Sequence, residues 1–491
     1  MKNIYRILCL GLIAFGLCAC DDFLETNPSS SVADTEVFKT LNGAQAALNG
    51  CYYQLHLGSG GQGRQDDWGY QSHLMTFSAD GEDCIVWGGW YSFDYNYWGH
   101  TRGDIFKSNA LWTYYYRLIN NTNSIITYID DAEGDTTQKN YVKGQALAMR
   151  GWAYFHLVRL FQHTYSIAKD MPGVPVYTEP TTDQTEGQPR GTVKSVYNDR
   201  ILPDLKEAET LLEGFTRSKK SDIDQSVTRA FLAQVYLTME DWNNAATYAN
   251  KARAGYPLTS NSDYYAGFND ISTPSWMWGM IQTDDDNFGD YSPFAMWANW
   301  IVRDGNTGWT FQCYFVSDEF VSRFEPTDIR AGQFSRAWDD VIEYSSKFYD
   351  KEDLRGAIVY MRSEEMLLTE AEALARSGQE TGAKDLLNEL RTLRGASAKG
   401  STGQALIDDI LMERRLELYG EGLDWFDIKR NRKGLVRGSN HSVAGGDVQI
   451  PADSWRFVYQ IPNSEIVNNA NMTSEFWPIG DQNPFDGVFQ P

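Results

Sequence analysis

The sequence predicts a mainly α-helical protein in which tetratricopeptide-like helical hairpins form a scaffold, with long irregular loops and a few short strands between them. Apolar residues recur at three- and four-residue intervals over several long stretches, which is the pattern of helices that bury one face. Small residues and a proline mark one of these stretches as a hairpin of the tetratricopeptide type. The intervening segments are rich in glycine, aspartate, asparagine, serine and aromatic residues, which favour irregular structure.

The clearest hairpin is predicted over residues 227–257. A tetratricopeptide hairpin needs small residues where its two helices cross and a proline shortly after the second helix. This stretch supplies both in one register, with Ala233, Ala245, Ala249, Ala252 and Pro257. A second copy is predicted over residues 361–391 with a turn at Gly378, although its closing proline is missing. Generic amphipathic hairpins without a common repeat ancestor remain the alternative, and they predict the same scaffold.

Weaker periodicity predicts four further helices, and the C-terminal part predicts one short strand. The helices are expected at residues 42–57, 110–129, 142–162 and 196–212, and the strand at 456–460. Three long stretches between the helices are predicted to be loops, at residues 58–108, 163–194 and 260–353. Loops of this length inside a compact domain are usually functional, so we expect ligand contacts to concentrate there.

The N-terminal segment has the features of a secretory signal. Lys2 and Arg6 precede an apolar stretch that is too short to span a bilayer, and charged residues follow at once. The stretch ends in the letters LCAC, which resemble the bacterial lipobox, so residues 1–19 are expected to be a lipoprotein signal peptide and Cys20 to carry the lipid. Plain secretion with cleavage nearby is the alternative. No later stretch reaches the ~18 apolar residues of a spanning helix, so the lipid is the membrane attachment that we expect.

Charge and cysteine content exclude several classes of function. The formal net charge of −23 opposes binding to nucleic acid, which requires a basic surface. Beyond Cys20, the three cysteines Cys51, Cys84 and Cys313 allow one disulfide at most and match no zinc spacing. The acidic residues 284–290 could ligate calcium, but they lack EF-hand spacing, so a solvated loop is favoured and we expect neither metal nor cofactor.

Tryptophan is abundant, and its placement is informative. Nine of the sixteen tryptophans fall in two predicted loops: Trp68, Trp87, Trp90, Trp98, Trp276, Trp278, Trp297, Trp300 and Trp309. An indole face stacks on the apolar C–H face of a sugar ring, while nearby polar groups hydrogen-bond its hydroxyls. The residues that we expect to bind ligand are Trp90, Trp98, Trp297, Trp300 and Trp309, with Asp80, Asn96, Asn299 and Arg303 as polar partners. Burial in a loop core is the alternative for any single tryptophan.

Catalytic motifs give little support to an enzyme. The sequence contains no HExxH, no GxSxG and no P-loop, and its GxGxxG match at residues 58–63 follows a predicted helix instead of a strand. Sixty-six acidic residues make carboxylate pairs inevitable by chance, so pairs alone neither support nor exclude a glycosidase. We expect no catalysis, and a lipid-anchored glycoside hydrolase is the alternative from another class.

Several separate stretches resemble one known family. Trp112, Tyr116 and residues 148–161 resemble its helices, although an insertion at residues 162–172 interrupts the loop that normally follows. Residues 360–373, 387–394 and 413–430 follow the family pattern nearly residue by residue, and residues 459–466 also fit. Arg414, Glu413 and Glu417 lie in this part, where their helical spacing favours ion pairs with neighbouring helices over catalysis. The chain is therefore similar to the SusD/RagB family of glycan-binding outer-membrane lipoproteins of Bacteroidetes.

This resemblance implies both a domain plan and a function. It implies one SusD-like domain over residues 20–491, with a loop-rich binding region in about residues 20–330 and the most specific motifs in about residues 331–491. It also implies a surface-exposed, lipid-anchored outer-membrane protein that captures an oligosaccharide and delivers it to a SusC-like TonB-dependent transporter. We expect the helical repeat face to meet the transporter and the tryptophan-rich loops to point toward its lumen. A peptide-binding member of the same family remains an alternative.

Overall fold

The computed structural model describes residues 36–58, 64, 66–98, 100, 102–283, 294, 297, 314–337, 342–350, 354–444, 446 and 448–472. The predicted signal peptide and Cys20 lie outside these residues, as does the acidic segment 284–290. Within the described part of the chain, no helix is both long enough and apolar enough to cross a bilayer.

Helices make up most of the regular structure, as the sequence predicts. In chain order they are α1 (Leu41–Gln54), α2 (Gly69–Ala79), α3 (Ser92–Tyr95), α4 (Phe106–Tyr128), α5 (Thr136–Phe161), α6 (Tyr165–Ala168), α7 (Val193–Val196), α8 (Leu202–Leu211), α9 (Gln225–Thr238), α10 (Trp242–Arg253), α11 (Asn261–Tyr264), α12 (Asp318–Val321), α13 (Ser363–Arg376), α14 (Glu380–Leu393), α15 (Gly403–Glu417), α16 (Asp424–Arg430) and α17 (Asn463–Asn468). A π-helical turn, Tyr197–Ile201, joins α7 to α8. Short 3₁₀ turns occur at Ile129–Asp131, Ile329–Gln333, Ser439–Ala444 and Trp455–Phe457.

The predicted helical scaffold is confirmed, and local sequence explains where its hairpins begin and end. Helices α9 and α10 form the first predicted hairpin, and the side chains of Asp224 and Asp241 accept hydrogen bonds from backbone N–H groups in their first turns. Helices α13 and α14 form the second, and Gly378 adopts a φ of 82° just after α13, where a side chain would be strained. Helix α4 packs on α5, α5 on α8, α8 on α9, α9 on α10, and α10 on α13. The hairpins therefore form one continuous array.

Ten short strands between the helices form small antiparallel sheets. They are β1 (Cys84–Val86), β2 (Pro172–Pro175), β3 (Arg190–Thr192), β4 (Trp276–Met280), β5 (Tyr314–Val316), β6 (Phe334–Ala337), β7 (Ile342–Ser345), β8 (Ile358–Arg362), β9 (Leu435–Val436) and β10 (Gln449–Ile450). The largest sheet has the order β1-β5-β7-β6, and β2-β3, β4-β8 and β9-β10 form pairs. The count of strands and the sheet orders cover only the residues that the structure describes. The β1–β5 pairing fixes the base of the loop that contains Trp87, Trp90 and Trp98.

Three predictions about local structure are wrong. Residues 58–108 are not a continuous loop, because α2 lies within them and all eleven of its residues are buried. The predicted strand at residues 456–460 is replaced by the 3₁₀ turn Trp455–Phe457, in which Ser454 caps the N-terminal end. Trp276 and Trp278 do not belong to a loop either, since both are buried residues of β4, which pairs with β8.

An arginine hub joins the C-terminal elements. We use this name for Arg330, Arg362 and Arg394, which surround the buried carboxylate of Glu417 at the end of α15. The shortest nitrogen–oxygen distances to that carboxylate are 2.9 Å, 2.7 Å and 2.8 Å, respectively. Burial alone would raise the pKa of Glu417, but the guanidinium groups of Arg394 and Arg362 hold it well below its usual value. Glu417 is therefore an ionised, fully paired group that ties several segments together, which supports the structural interpretation of these acidic and basic residues.

Candidate binding site

Four large aromatic side chains are exposed within twelve consecutive residues. We call them the aromatic ridge: Trp87, Trp90, Phe93 and Trp98, which are 46%, 41%, 40% and 53% exposed. Soluble domains bury most such surface, and a contiguous exposed apolar patch commonly marks a binding site. The ridge is therefore the first candidate for a ligand platform.

Local sequence explains why these rings face outward. Gly88 and Gly89 adopt φ values of 81° and 72°, and this left-handed turn reverses the chain after β1. The short helix α3 follows, and Tyr91 and Tyr95, four residues apart, are fully buried on its inner side. Phe93 lies on the opposite side of the same turn, so the burial of the tyrosines presents it to solvent.

The ridge rings contact one another in two orientations. Trp90 and Phe93 are roughly parallel, with ring centroids 6.4 Å apart and an interplanar angle of 20°. Trp98 meets Phe93 edge-on at 5.7 Å and 74°. Trp87 instead approaches Phe315 of β5, at 6.3 Å. Trp90, Phe93 and Trp98 therefore form a connected set of rings whose exposed faces and edges suit stacking and C–H contacts, and Trp87 precedes them in the same loop.

Arg64 fixes one end of this surface. Its guanidinium carbon lies 4.1 Å from the Trp90 ring centroid and 3.9 Å from that of Phe106, so it is sandwiched between the two rings. The guanidinium also donates two hydrogen bonds to the carboxylate of Asp66, at 3.0 Å and 2.9 Å. A planar, bidentate arginine in this position holds the indole plane of Trp90 and adds hydrogen-bonding groups beside it.

Buried charges support the ridge from below. The Lys107 ammonium donates to the backbone carbonyl of Asp66 at 2.6 Å, and it lies 3.1 Å from the Asp66 carboxylate and 3.6 Å from that of Asp94. Burial would lower the pKa of Lys107, but the carboxylates of Asp66 and Asp94 raise it. Burial raises the pKa of Asp94 well above its usual value. Lys107 thus stays charged and connects α3, α4 and the segment that carries Arg64.

Two residues predicted to bind ligand are placed in the interior instead. The Asp80 carboxylate contacts His100 Nε2 at 3.1 Å and accepts a hydrogen bond from the Tyr459 hydroxyl at 2.9 Å, with no exposed surface. Trp297 is only 1% exposed and packs among Tyr314, Phe348 and Tyr419. The expectation that these two residues contact ligand directly is therefore corrected. Both are core groups here, because distant segments close over them.

The other predicted site residues divide into two groups. Trp90 and Trp98 are brought together on the ridge, with Asn96 half-buried next to Trp98 and its side-chain amide donating to the Ser92 carbonyl at 2.9 Å. The remaining four lie outside the described residues: Asn299, Trp300, Arg303 and Trp309. The ridge also contains Trp87 and Phe93, with Arg64 beside Trp90, and none of these three residues was predicted to bind ligand. The exposure of Phe93 could have been predicted, because it lies between two tyrosines that are four residues apart and share the buried side of the same turn.

Two cysteines that could have formed a disulfide are free. Cys51 and Cys84 are both buried as thiols, and burial raises the pKa of Cys51 to about 12. Cys313 lies outside the described residues. The two buried thiols therefore act as small apolar core groups.

Comparisons with known proteins agree with this architecture. One family model, described as starch-binding associating with outer membrane, matches residues 22–237, and the SusD family model matches residues 334–484. SusD-like protein P38 of Formosa agariphila is 27% identical over 518 residues, covering 88% of this chain and 92% of that protein.

Two solved structures of similar shape extend the comparison. A SusD-like carbohydrate binding protein from Bacteroides vulgatus ATCC 8482 is 29% identical, with a TM-score of 0.79 over 90% of this chain and 98% of its own. Surface glycan-binding protein A from Bacteroides uniformis shares the fold, with a TM-score of 0.70 at 20% identity over 88% of this chain and 98% of its own. The helical array, the two family models and these relatives together show that the chain belongs to the SusD/RagB family.

Proposed function

We propose that this protein is a lipid-anchored, surface-exposed glycan-binding protein of the outer membrane, and that its aromatic ridge captures an oligosaccharide for delivery to a SusC-like TonB-dependent transporter. The observation that carries the proposal is the ridge itself, a set of exposed and mutually supported rings next to an arginine and an amide. Family membership and the carbohydrate-binding relatives support the ligand class. The anchor at Cys20 and the transporter rest on the sequence resemblance.

The ridge suits a sugar for a physical reason. A pyranose presents an apolar C–H face to a ring and hydroxyl groups at its rim. Trp90 and Trp98 provide rings, Arg64 lies against the Trp90 ring, and the half-buried Asn96 precedes Trp98 by two residues. Each aromatic contact contributes about 0.5–1.5 kcal/mol beyond burial, which corresponds to a factor of about 2 to 13 in the dissociation constant. Losing two rings should therefore abolish measurable binding of a weak ligand.

We propose that binding occurs without catalysis. Glycoside hydrolysis needs two carboxyl groups that face one cavity on either side of the scissile bond. The two acids tied to the elements that support the ridge, Asp66 and Asp94, are both buried and engaged with Arg64 or Lys107. Transport requires a separate channel, so a transporter of the SusC type is the partner that fits a protein tethered at its first mature residue.

The binding proposal can be tested with matched alanine variants. Purified Trp90→Ala, Trp98→Ala and the double variant should keep the wild-type circular dichroism spectrum but lose retention in an affinity-gel screen of polysaccharides. Tyr53→Ala is the control, because Tyr53 is 52% exposed on α1, as exposed as Trp98, yet it is not part of the ridge. Retention unchanged in the double variant would place the ligand site elsewhere.

Catalysis and partnership need separate measurements. Incubating the wild-type protein with each retained polysaccharide should produce no new reducing ends, and their appearance would favour the glycoside hydrolase. Retention of peptides instead of glycans would favour a peptide-binding member of the family. Gentle detergent extraction should recover the protein with a β-barrel partner of transporter size at near-equal stoichiometry, and recovery of the protein alone would contradict the proposed complex.

A further inference from the structure

An open cavity lies along α4, separate from the aromatic ridge. It has a volume of about 290 Å³, and its lining includes Trp112, Tyr116, Asn120, Tyr177, Thr182 and Glu465. Helix α4 forms one wall, the chain that follows β2 forms a second, and α17 forms the third. We call this cavity the α4 cleft.

The α4 cleft is distinct from the ridge, although both involve the same helix. Phe106, which stacks under Arg64 of the ridge site, is the first residue of α4, and Trp112 follows six residues later. Six residues correspond to about 9 Å along a helix and place the two side chains roughly 120° apart around its axis. The Arg64-supported end of α4 and the cleft therefore lie on different sides of the helix.

Side-chain amides of α4 hold the facing loop in position. The side-chain oxygen Oδ1 of Asn120 accepts hydrogen bonds from the Thr181 backbone N–H at 2.6 Å and from the Thr181 hydroxyl at 3.0 Å. The Asn123 amide donates to the Tyr177 carbonyl at 3.1 Å. These contacts leave the loop little freedom, so the cleft is preformed and a ligand does not have to order it.

The third wall is tied to the same loop. The Asn469 amide donates to the Gln188 carbonyl at 3.0 Å, and the Asn471 amide donates to the Gly187 carbonyl at 2.6 Å. A side chain at position 187 would place its Cβ 2.3 Å from the Asn469 amide group, so a larger residue there would have to displace the Asn469 side chain from its contacts. Asn469 also donates to Glu465 at 2.8 Å, which orients that carboxylate.

The chemistry of the cleft favours a neutral polyol. Trp112 and Tyr116 rings lie 4.8 Å apart, and Tyr177 meets Tyr116 edge-on at 6.0 Å, so apolar faces and edges line part of the cavity. Glu465 accepts from the Trp112 indole N–H at 3.3 Å and has further lone pairs for ligand hydroxyls. Among the described residues, no lysine or arginine lines the cleft, which leaves a sulfate, phosphate or carboxylate without a counter-charge.

We infer that the α4 cleft is a second saccharide site, which takes one or two neutral sugar residues with their C–H face against the aromatic side and their hydroxyls on Glu465 and the loop threonines. Its volume lies just below the range of about 300–1,000 Å³ that holds drug-sized ligands, which fits a ligand of this size. The inference goes beyond the proposed function, which concerns the ridge, and the two can fail independently.

Fluorine NMR of protein labelled with 5-fluorotryptophan can test both sites in one spectrum. Trp112→Phe and Trp98→Phe identify the resonances of the cleft and the ridge. The probes are D-glucose, D-galactose, D-mannose, D-xylose and N-acetyl-D-glucosamine, each titrated to about 50 mM to reach the millimolar affinities usual for single sugars. At least one neutral sugar should shift the Trp112 resonance saturably, and D-glucuronate should not, because the Glu465 carboxylate repels it.

Variants decide whether that shift arises in the cleft. Glu465→Gln and Tyr177→Ala should each weaken the Trp112 response several-fold while the other tryptophan resonances keep their positions, which shows that the fold is intact. Trp98→Ala should leave the Trp112 response unchanged. Three results would overturn the inference: no response to any neutral sugar, an equal response to glucuronate, or a response lost in Trp98→Ala. A variant that lacks residues 473–491 provides one further check. If this deletion shifts the Trp112 resonance and no sugar does, the inference is overturned, since the chain's own C-terminal residues would then be the occupant.

Discussion

Replacing Glu417 by glutamine should strongly destabilise the protein without affecting a ligand site directly. The carboxylate of Glu417 accepts two hydrogen bonds from Arg394, one from Arg362 and one from Arg330. A glutamine keeps the shape of the side chain, but it removes the negative charge and turns one acceptor into a donor that faces a guanidinium group. The three arginines of the hub then share a buried site that lacks its central counter-charge.

The size of the effect follows from what each arginine retains. A hydrogen bond to a charged group contributes about 1.5–3 kcal/mol, so four such bonds set a ceiling of about 6–12 kcal/mol. Arg330 keeps its contact with Asp328 at 2.7 Å, and Arg362 keeps Glu421 at 2.8 Å, so the loss is only partial. We expect Glu417→Gln to reduce the free energy of unfolding by about 3–5 kcal/mol, which is typical of breaking a buried ion pair.

Urea unfolding followed by circular dichroism at pH 7 measures this difference. Glu319→Gln is the matched control, because Glu319 pairs with Arg323 at 2.6 Å on the surface, where such a pair contributes less than about 1 kcal/mol. The pKa of Glu417 is lowered on folding, so its contribution is present above its ordinary pKa of 4.5 and is lost as the pH falls through the folded value. The wild-type advantage should therefore shrink below pH 4.5. A loss under about 1 kcal/mol at pH 7 would refute the role of the hub.

Three further predictions concern the anchor, a buried acid and the ridge. Cys20→Ala should release the protein from the membrane fraction, and continued sedimentation with palmitate labelling would contradict the anchor. Burial and the charge of Asp83 raise the pKa of Asp424 from 3.8 to about 7, so protonation of Asp424 stabilises the folded state. This contribution is fully present below pH 3.8 and is lost as the pH rises through about 7. Asp424→Asn should therefore flatten the pH dependence of the unfolding midpoint in this window, and an unchanged slope would contradict that. Arg64→Lys should weaken polysaccharide retention several-fold, because an ammonium cannot stack on Trp90 while forming the bidentate contact, and wild-type retention would argue against this clamp.

The helical scaffold could be predicted because its helices bury one face. In α9 and α10 the residues Ala233, Ala245, Ala249 and Ala252 are fully buried at the spacing that the sequence shows. Helix α2 could not be found this way, since it is buried on all sides although several of its residues are polar. His73, for example, contacts the Tyr115 hydroxyl at 3.2 Å, a partner on α4 that no local pattern indicates. Periodicity therefore gives no signal for α2, which has polar residues on its buried faces and no solvent face.

The candidate site could be predicted only in part, for a related reason. The sequence identifies the region of Trp90 and Trp98, but an indole looks the same in sequence whether it is exposed or buried. Trp297 is buried because Tyr314 of β5 and Tyr419 after α15 close over it, and both contacts form only in the folded chain. Asp80 is likewise buried by Tyr459, which lies 379 residues later. Long-range packing therefore decides which of the predicted aromatic and acidic side chains stay exposed and can contact a ligand.

The buried lysine beneath the ridge has a kinetic consequence. Because Arg64 holds Trp90 and Lys107 ties α3 to α4 before any ligand arrives, capture at the proposed site needs no rearrangement of these elements and should proceed at an ordinary association rate of about 10⁵–10⁷ M⁻¹s⁻¹. With a dissociation constant on the order of 1 mM, the complex then separates about 10² to 10⁴ times per second. Under the proposed function, a rigid, shallow platform of this kind would exchange its ligand within milliseconds. Such exchange would favour rapid delivery to a transporter over long retention.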